Sequence, residues 1–187
     1  MEDSVSEAFV ATPRTWFLPR RARGRAAYDG PIEIGRGQTN SQPRTVDAML
    51  RLLEVRRGDR VLDVGAGSGW STALLAHLTG ATGEVIGVEI EPTLVEFGSK
   101  NLARVARPWA RIEQALPEVL GWPEAAPYDR VLVSAEARQM PQALLDQLAA
   151  PGRLVLPVAG VMLLVVRDGD GRDTVSRHGR YCFVPLR

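Results

Sequence analysis

Val61-Leu62-Asp63-Val64-Gly65-Ala66-Gly67-Ser68-Gly69 is the stretch whose reading decides the architecture. Four residues form an apolar run carrying one acid, and a glycine-rich turn follows, which is how a buried parallel strand ending at a ligand crevice reads. Gly65, Gly67 and Gly69 alternate with Ala66 and Ser68, so the backbone can turn sharply and nothing bulky keeps a ligand away from it. A helix is expected at once from Trp70, through Ser71, Thr72, Ala73, Leu74, Leu75 and His77.

The glycine spacing is informative. A dinucleotide fingerprint places its third glycine three residues after the second, where this chain has Trp70. The pattern here is G-x-G-x-G. Asp63 adds a carboxylate beside the loop, which suits a cationic ligand better than a pyrophosphate. S-adenosylmethionine, with a sulfonium, an ammonium and no phosphate, fits that description. A second apolar run, Glu84-Val85-Ile86-Gly87-Val88-Glu89, ends on an acid at the position from which both ribose hydroxyls can be accepted.

The chain of 187 residues is one domain by size and, at 45% apolar, has enough material for a core. A net charge of +1 neither demands nor excludes a polyanionic partner. The single cysteine, Cys182, excludes an internal disulfide framework and fits a reducing cytoplasm. Glu2 and Asp3, with no apolar run behind them, argue against a leader peptide, and no stretch is long enough to span a membrane.

Residues 1–35 read as an N-terminal arm or lid, and 36–187 as the sheet domain. Arg14, Arg20, Arg21, Arg23 and Arg25 crowd the arm with no acid between Glu7 and Asp29; the reading preferred is a solvated basic edge or a hold on an acidic substrate rather than a nucleic-acid patch. Trp16, Phe17 and Leu18 are expected to anchor the arm. A polar loop, Gly35 to Arg44, feeds a helix whose apolar face is Val46, Met49, Leu50, Leu52 and Leu53, with Pro43 in its first turn. Ser41 can be the N-cap of that helix. Further on, a helix over Pro92 to Val105, strands at Arg111 to Gln114 and Arg130 to Ala135, a helix over Pro141 to Ala149 and a strand at Arg153 to Val158 continue the alternation that implies a parallel sheet covered on both faces. Val161 to Arg167, the turn Asp168 to Gly171 and Arg180 to Leu186 read as a closing hairpin. Neither His77 nor His178 has a ligand-spaced partner, so no metal site is expected.

Several segments together resemble the protein-L-isoaspartate O-methyltransferase family: Gly37-Gln38-Thr39-Asn40-Ser41-Gln42-Pro43, Val61 to Gly69, Gly83 to Glu89, Gly121-Trp122-Pro123, Ala126 to Asp129, Met140 to Leu148 with Gly152 to Val158, and Phe183-Val184-Pro185-Leu186. The resemblance covers nearly the whole chain. It implies an α/β, doubly wound, Rossmann-like methyltransferase sheet, mostly parallel with a C-terminal antiparallel hairpin. It implies methyl transfer from S-adenosyl-L-methionine to the free carboxylate of an isoaspartyl residue, a lesion of aged proteins, leaving S-adenosyl-L-homocysteine. The substrate would be a damaged protein or peptide, with no nucleic acid or membrane partner, and the enzyme a cytoplasmic monomer. Ser41 falls on the family's active-site serine, with Thr39 beside it. Asn40, Asp63, Gly65, Ala66, Gly67, Ser68, Gly69, Glu89, Ile90, Leu116 and Pro117 fall on the cofactor side. No His or Lys stands at a spacing that would activate Ser41 as a nucleophile, so its expected role is to orient the acceptor.

Four departures bear on the substrate. Asn40 stands where the family has an apolar residue, and Arg44 where it has His or an aromatic. Leu116-Pro117-Glu118 replaces a Gly-Asp-Gly whose acid reaches the adenine amine, leaving Glu118 as the substitute one position along. Ser134-Ala135-Glu136-Ala137 replaces Thr-Ala-Ala-Ala and is expected to bring a charge near the pocket mouth. Two other functions share the scaffold: a carboxyl methyltransferase of a dedicated peptide or small molecule, and a non-catalytic S-adenosylmethionine-binding module. A base-methylating enzyme would carry Asp or Asn, Pro-Pro and an aromatic after the fourth strand, and Ser134 to Ala137 has none of these.

Overall fold

The computed structural model describes residues 3–187. Glu2, one of the two acids cited against a leader peptide, lies outside the described residues. In chain order the elements are α1 (Ser4–Ala11), two 3-10 turns (Arg14–Phe17 and Arg20–Arg25), β1 (Ile32–Gly35), β2 (Gln38–Asn40), α2 (Pro43–Leu53), β3 (Arg60–Val64), α3 (Trp70–Thr79), β4 (Glu84–Glu89), α4 (Pro92–Ala103), β5 (Ala110–Gln114), a 3-10 turn (Pro123–Ala125), β6 (Tyr128–Val133), α5 (Gln142–Leu145), β7 (Leu148–Val158), β8 (Val161–Arg167) and β9 (Asp173–Arg180).

Seven strands form one sheet in the order β5-β4-β3-β6-β7-β8-β9, and β1 pairs with β2 in a separate hairpin. From β5 to β7 the neighbours are parallel, and β7-β8-β9 are antiparallel. The connections run outward in opposite directions from β3, so β3 and β6 flank the point where strand order reverses. A crevice opens there at the carboxyl ends of the strands.

Alternation along the buried strands separates two cores. Val61, Val85, Leu132 and Val155 face the layer built from α1, α2 and α3, with Leu102 of α4 in the same cluster. Leu62, Val64, Ile86, Val131, Val133 and Leu154 face the other side, where Leu144, Leu120 and Trp122 cover them. In α2 the buried residues Val46, Met49, Leu50 and Leu53 recur at helical spacing, and Pro43 opens the helix where its missing N–H costs nothing.

The structure redraws three boundaries. The helix expected over Pro141 to Ala149 is a single turn, because Gln147 turns inward and Leu148 already pairs with Tyr128. The Gln147 amide donates to Leu120 O and Ala143 O and accepts from Trp122 N, so it holds the loop that covers the second core instead of continuing a helix. The last strand is Asp173–Arg180, not Arg180 to Leu186; it is an exposed edge strand whose residues show no apolar alternation. Within the segment expected as a polar loop, Gln38–Asn40 forms a strand, and the arm boundary at residue 35 falls at the turn of the β1-β2 hairpin. Phe17 and Leu18 are buried as expected, whereas Trp16 is exposed.

Candidate active site

The glycine loop leaves β3 at Val64 and is locked by backbone bonds. Gly65 N and Ala66 N both donate to Val88 O, at 2.9 and 3.1 Å, and Gly69 N donates to Ala66 O at 2.8 Å. Gly69 is required twice over. It sits at φ +82, and a Cβ there would stand 2.8 Å from Gly98 O, because α4 packs directly against the loop. Trp70, the departure from the dinucleotide spacing, has a structural use: its Nε1–H donates to Thr12 O at 3.0 Å and its ring packs edge-on against Phe9, so it fastens the N-terminal arm.

Glu89 ends β4 with its carboxylate facing the loop. One oxygen accepts from Gly67 N at 2.8 Å and the other from Glu91 N at 2.9 Å. A carboxylate oxygen accepts more than one hydrogen bond, so Glu89 is fixed in place and still able to receive hydroxyl donors. Asp63 is placed differently from the expectation. It is fully buried behind the loop, with Oδ2 accepting from Ser71 Oγ and Thr72 Oγ1, both at 2.7 Å. Its Oδ1 has no partner, and burial pushes its pKa up to about 6 despite those two hydroxyls, with the Glu89 charge adding to the rise. An unmet buried acceptor next to the loop favours a positively charged ligand group over a phosphate.

The other side of the crevice is the β1-β2 hairpin and the turn into α2. Arg14, buried in the arm, organises it. Its guanidinium donates to Tyr28 O, Gly30 O, Asn40 O and Ser41 O and, at 2.6 Å, to Asn40 Oδ1. Burial pulls the Arg14 pKa down to about 10, opposed by Asp29 and assisted by Arg25. Because arginine can only donate, the Asn40 oxygen must face it, and the Asn40 NH2 is then free to donate to Ser68 Oγ at 3.0 Å. Ser68 Oγ is the acceptor in that bond, so its own proton is left to point elsewhere. The unusual Asn40 thus ties the arm to the glycine loop.

Ser41 does not cap α2. The N-cap is Gln42, whose own side chain makes no cap bond; Asp29 reaches in instead, its Oδ1 accepting from Arg44 N at 3.1 Å. The Ser41 hydroxyl is therefore not spent on the helix.

These parts enclose one cavity of about 420 Å³. Of the expected residues, Thr39, Asn40, Ser41, Gly65, Ala66, Gly67, Ser68, Glu89, Ile90 and Leu116 line it. Asp63, Gly69 and Pro117 do not: Asp63 lies beneath the loop, Gly69 is turned against α4, and Pro117 falls outside the lining. Glu118 does line the cavity, at φ +64, a left-handed conformation natural to the glycine it replaces. Two charged departures are off the wall. Arg44 is exposed and pairs with Asp29 at 3.5 Å, and Glu136 uses its backbone to pair with Val184 and Leu186. Sequence reading assigned no site role to the Val184 to Arg187 strap, which closes one side of the cavity with Arg187 bonded to Glu91 at 2.7 Å. Its sole signal was the Phe183-Val184-Pro185-Leu186 ending.

The residues present fit S-adenosylmethionine. Glu89 would take the ribose hydroxyls, Ser68, whose hydroxyl proton is uncommitted, the amino-acid end, and Ile90, Leu116 and Val119 a flat apolar base. Fold and site define a class I S-adenosylmethionine-dependent methyltransferase scaffold.

The chain belongs to the protein-L-isoaspartate(D-aspartate) O-methyltransferase family, whose model matches residues 1–187. A protein-L-isoaspartate O-methyltransferase of Methanopyrus kandleri is 43% identical over 97% of this chain and 82% of its own length. One from Methanothrix thermoacetophila is 40% identical over 100% and 89%. Among solved structures, a Plasmodium falciparum protein described as an isoaspartate methyltransferase, in complex with S-adenosyl-L-homocysteine, superposes with a TM-score of 0.87 at 27% identity, covering 100% of this chain and 91% of that one.

Proposed function

We propose that this chain transfers a methyl group from S-adenosylmethionine to the free carboxylate of L-isoaspartyl residues in damaged proteins or peptides. The observation that carries the proposal is that Ser41, freed from helix capping, shares one cavity with the glycine loop and Glu89 in a chain matched end to end by the family model.

The bound cofactor supplies an electrophilic methyl group on sulfur. The acceptor carboxylate is already ionised at neutral pH, so the site has no proton to remove. What the chain must do is hold the acceptor oxygen in line and keep water out. Orientation of this kind is worth up to about 7 to 11 kcal/mol in well-positioned systems. The Ser41 hydroxyl donates to the acceptor carboxylate and fixes its direction. Thr39 flanks it, and Arg14 holds both Asn40 and Ser41 by their carbonyls, so the segment cannot swing. Glu118 is in place to accept from the adenine amine, the task of the missing Gly-Asp-Gly acid. Residues 3–35 support the acceptor side from behind through Arg14 and do not line the cavity, so the arm reading is favoured over the lid.

Neither Arg44 nor Glu136, the departures that favoured a different acceptor, stands on the cavity wall, and this supports the isoaspartyl reading over a dedicated small molecule. The same reading makes the enzyme a monomer of a reducing cytoplasm with no nucleic-acid partner; its single cysteine, exposed and unpaired, supports the compartment. Among the described residues no helix is long and apolar enough to cross a membrane. The experiment is transfer of labelled methyl to a short isoaspartyl peptide beside its normal aspartyl twin. Label on the isoaspartyl peptide alone, released as methanol in mild base, is expected; label on neither or on both would refute the assignment.

A further inference from the structure

The arm carries a feature that methyl transfer does not use. In the 3-10 turn Arg20–Arg25, Ala22 is buried with Leu18 and Ile32, and that contact fixes which way the turn faces. Arg20, Arg21 and Arg25 are left exposed, and none of them forms an ion pair with an acid among the described residues. Other exposed arginines, among them Arg44, Arg51, Arg111 and Arg172, are paired with acids, and what sets the arm apart is that three exposed arginines without such a partner fall within six residues. Arg23 differs, since its Nε reaches Leu18 O. Arg25 lies over the Tyr28 ring at 5.2 Å, Tyr28 O accepts from Arg14, and Arg14 donates to Ser41 O at 2.9 Å. The unpaired cations therefore stand on the segment that holds the acceptor side of the cavity.

We propose that Arg20, Arg21 and Arg25 form a docking surface for acidic residues flanking the methyl-accepting site of a polypeptide substrate. The proposal rests on the isoaspartyl reading above. The acceptor is itself an anion, and further Asp or Glu residues beside it add charge that a cationic surface draws in, raising association without touching the chemical step. A nucleic acid fits less well. Phosphate binding needs a continuous basic track, and the segment that follows the turn exposes Asp29 and, in β1, Glu33, which would repel a backbone laid across it.

The test uses the full chain and two isoaspartyl peptides that differ only in flanking residues, neutral in one and glutamate in the other. At low ionic strength kcat/KM for the acidic peptide is expected to be about fivefold higher, carried by KM, and the advantage should vanish at about 1 M salt, where the Debye length is about 3 Å. The variant Arg20→Gln/Arg21→Gln/Arg25→Gln should remove the preference while leaving the neutral peptide's kinetics unchanged, and that unchanged rate also reports that the variant folds. If the triple variant loses activity on the neutral peptide, Arg21→Gln alone should still reduce the preference. An acidic-to-neutral ratio near one in the wild type, or one that the substitutions do not change, overturns the proposal. A single-stranded oligonucleotide that inhibits more strongly than polyglutamate overturns it in favour of nucleic acid. Failure of the neutral peptide to accept methyl at all would be a failure of the isoaspartyl reading itself, and the docking role would fall with it.

Discussion

Ser41, Glu89 and Asp63 carry three separable consequences. Ser41→Ala deletes one donor to the acceptor and nothing on the cofactor side, so kcat should fall at least tenfold while S-adenosylhomocysteine affinity stays within about twofold, since a hydrogen bond to a charged group is worth about 1.5 to 3 kcal/mol. Single-turnover kinetics beside calorimetry checks both halves, and an unchanged kcat removes Ser41 from the mechanism. Glu89→Ala should do the reverse, weakening cofactor binding by about 1.5 to 3 kcal/mol through lost charge-assisted bonds. Equal affinity by calorimetry would sink the ribose assignment. Asp63 speaks to stability. Its folded pKa, raised to about 6 by burial, exceeds its unfolded value, so the folded chain binds its proton more tightly and the stability this contributes is lost as pH rises through roughly 4 to 6. Asp63→Asn cannot titrate. Urea unfolding midpoints should therefore show wild type losing ground to this variant across that window, and parallel pH profiles would contradict the burial argument.

Elements differ in how openly their sequence declares them. β3, β4 and the glycine loop were legible because a buried strand and a close backbone approach restrict residue type at every position. α2 was legible from its apolar spacing. Asp173–Arg180 was not, because an exposed edge strand has no buried face to leave a pattern. The one-turn α5 has the local pattern of a longer helix, since nothing local reveals that Gln147 is needed to hold Leu120 and Trp122. The cofactor side of the site follows from loop and strand-end chemistry. The roles of Arg14, Asn40 and Trp70 depend on partners 26 to 58 residues distant, which local spacing does not encode. Trp70 gives the element-scale test. Trp70→Ala should cost about 3 to 5 kcal/mol in global stability, as for other buried aromatics. If Trp70 fastens the arm, trypsin should cut at Arg20 to Arg25 at least tenfold faster in this variant than in Trp70→Phe, which keeps a ring against Phe9. Equal cutting rates would mean that the arm is held by other contacts.

Across the molecule, the parallel half of the sheet presents the glycine loop and Glu89, and the β1-β2 hairpin with the turn into α2, braced by Arg14 of the arm, presents Thr39 and Ser41. The two meet through the Arg14–Asn40 and Asn40–Ser68 bonds. The central claim is that this cavity directs methyl to an isoaspartyl carboxylate. Its most direct test is fragmentation mass spectrometry of freshly methylated isoaspartyl peptide, quenched in acid before the ester is lost. A methyl ester on the isoaspartyl α-carboxylate, and none on other carboxylates of the same peptide, is expected. Methyl on an ordinary aspartate, a hydroxyl or an amine would contradict it.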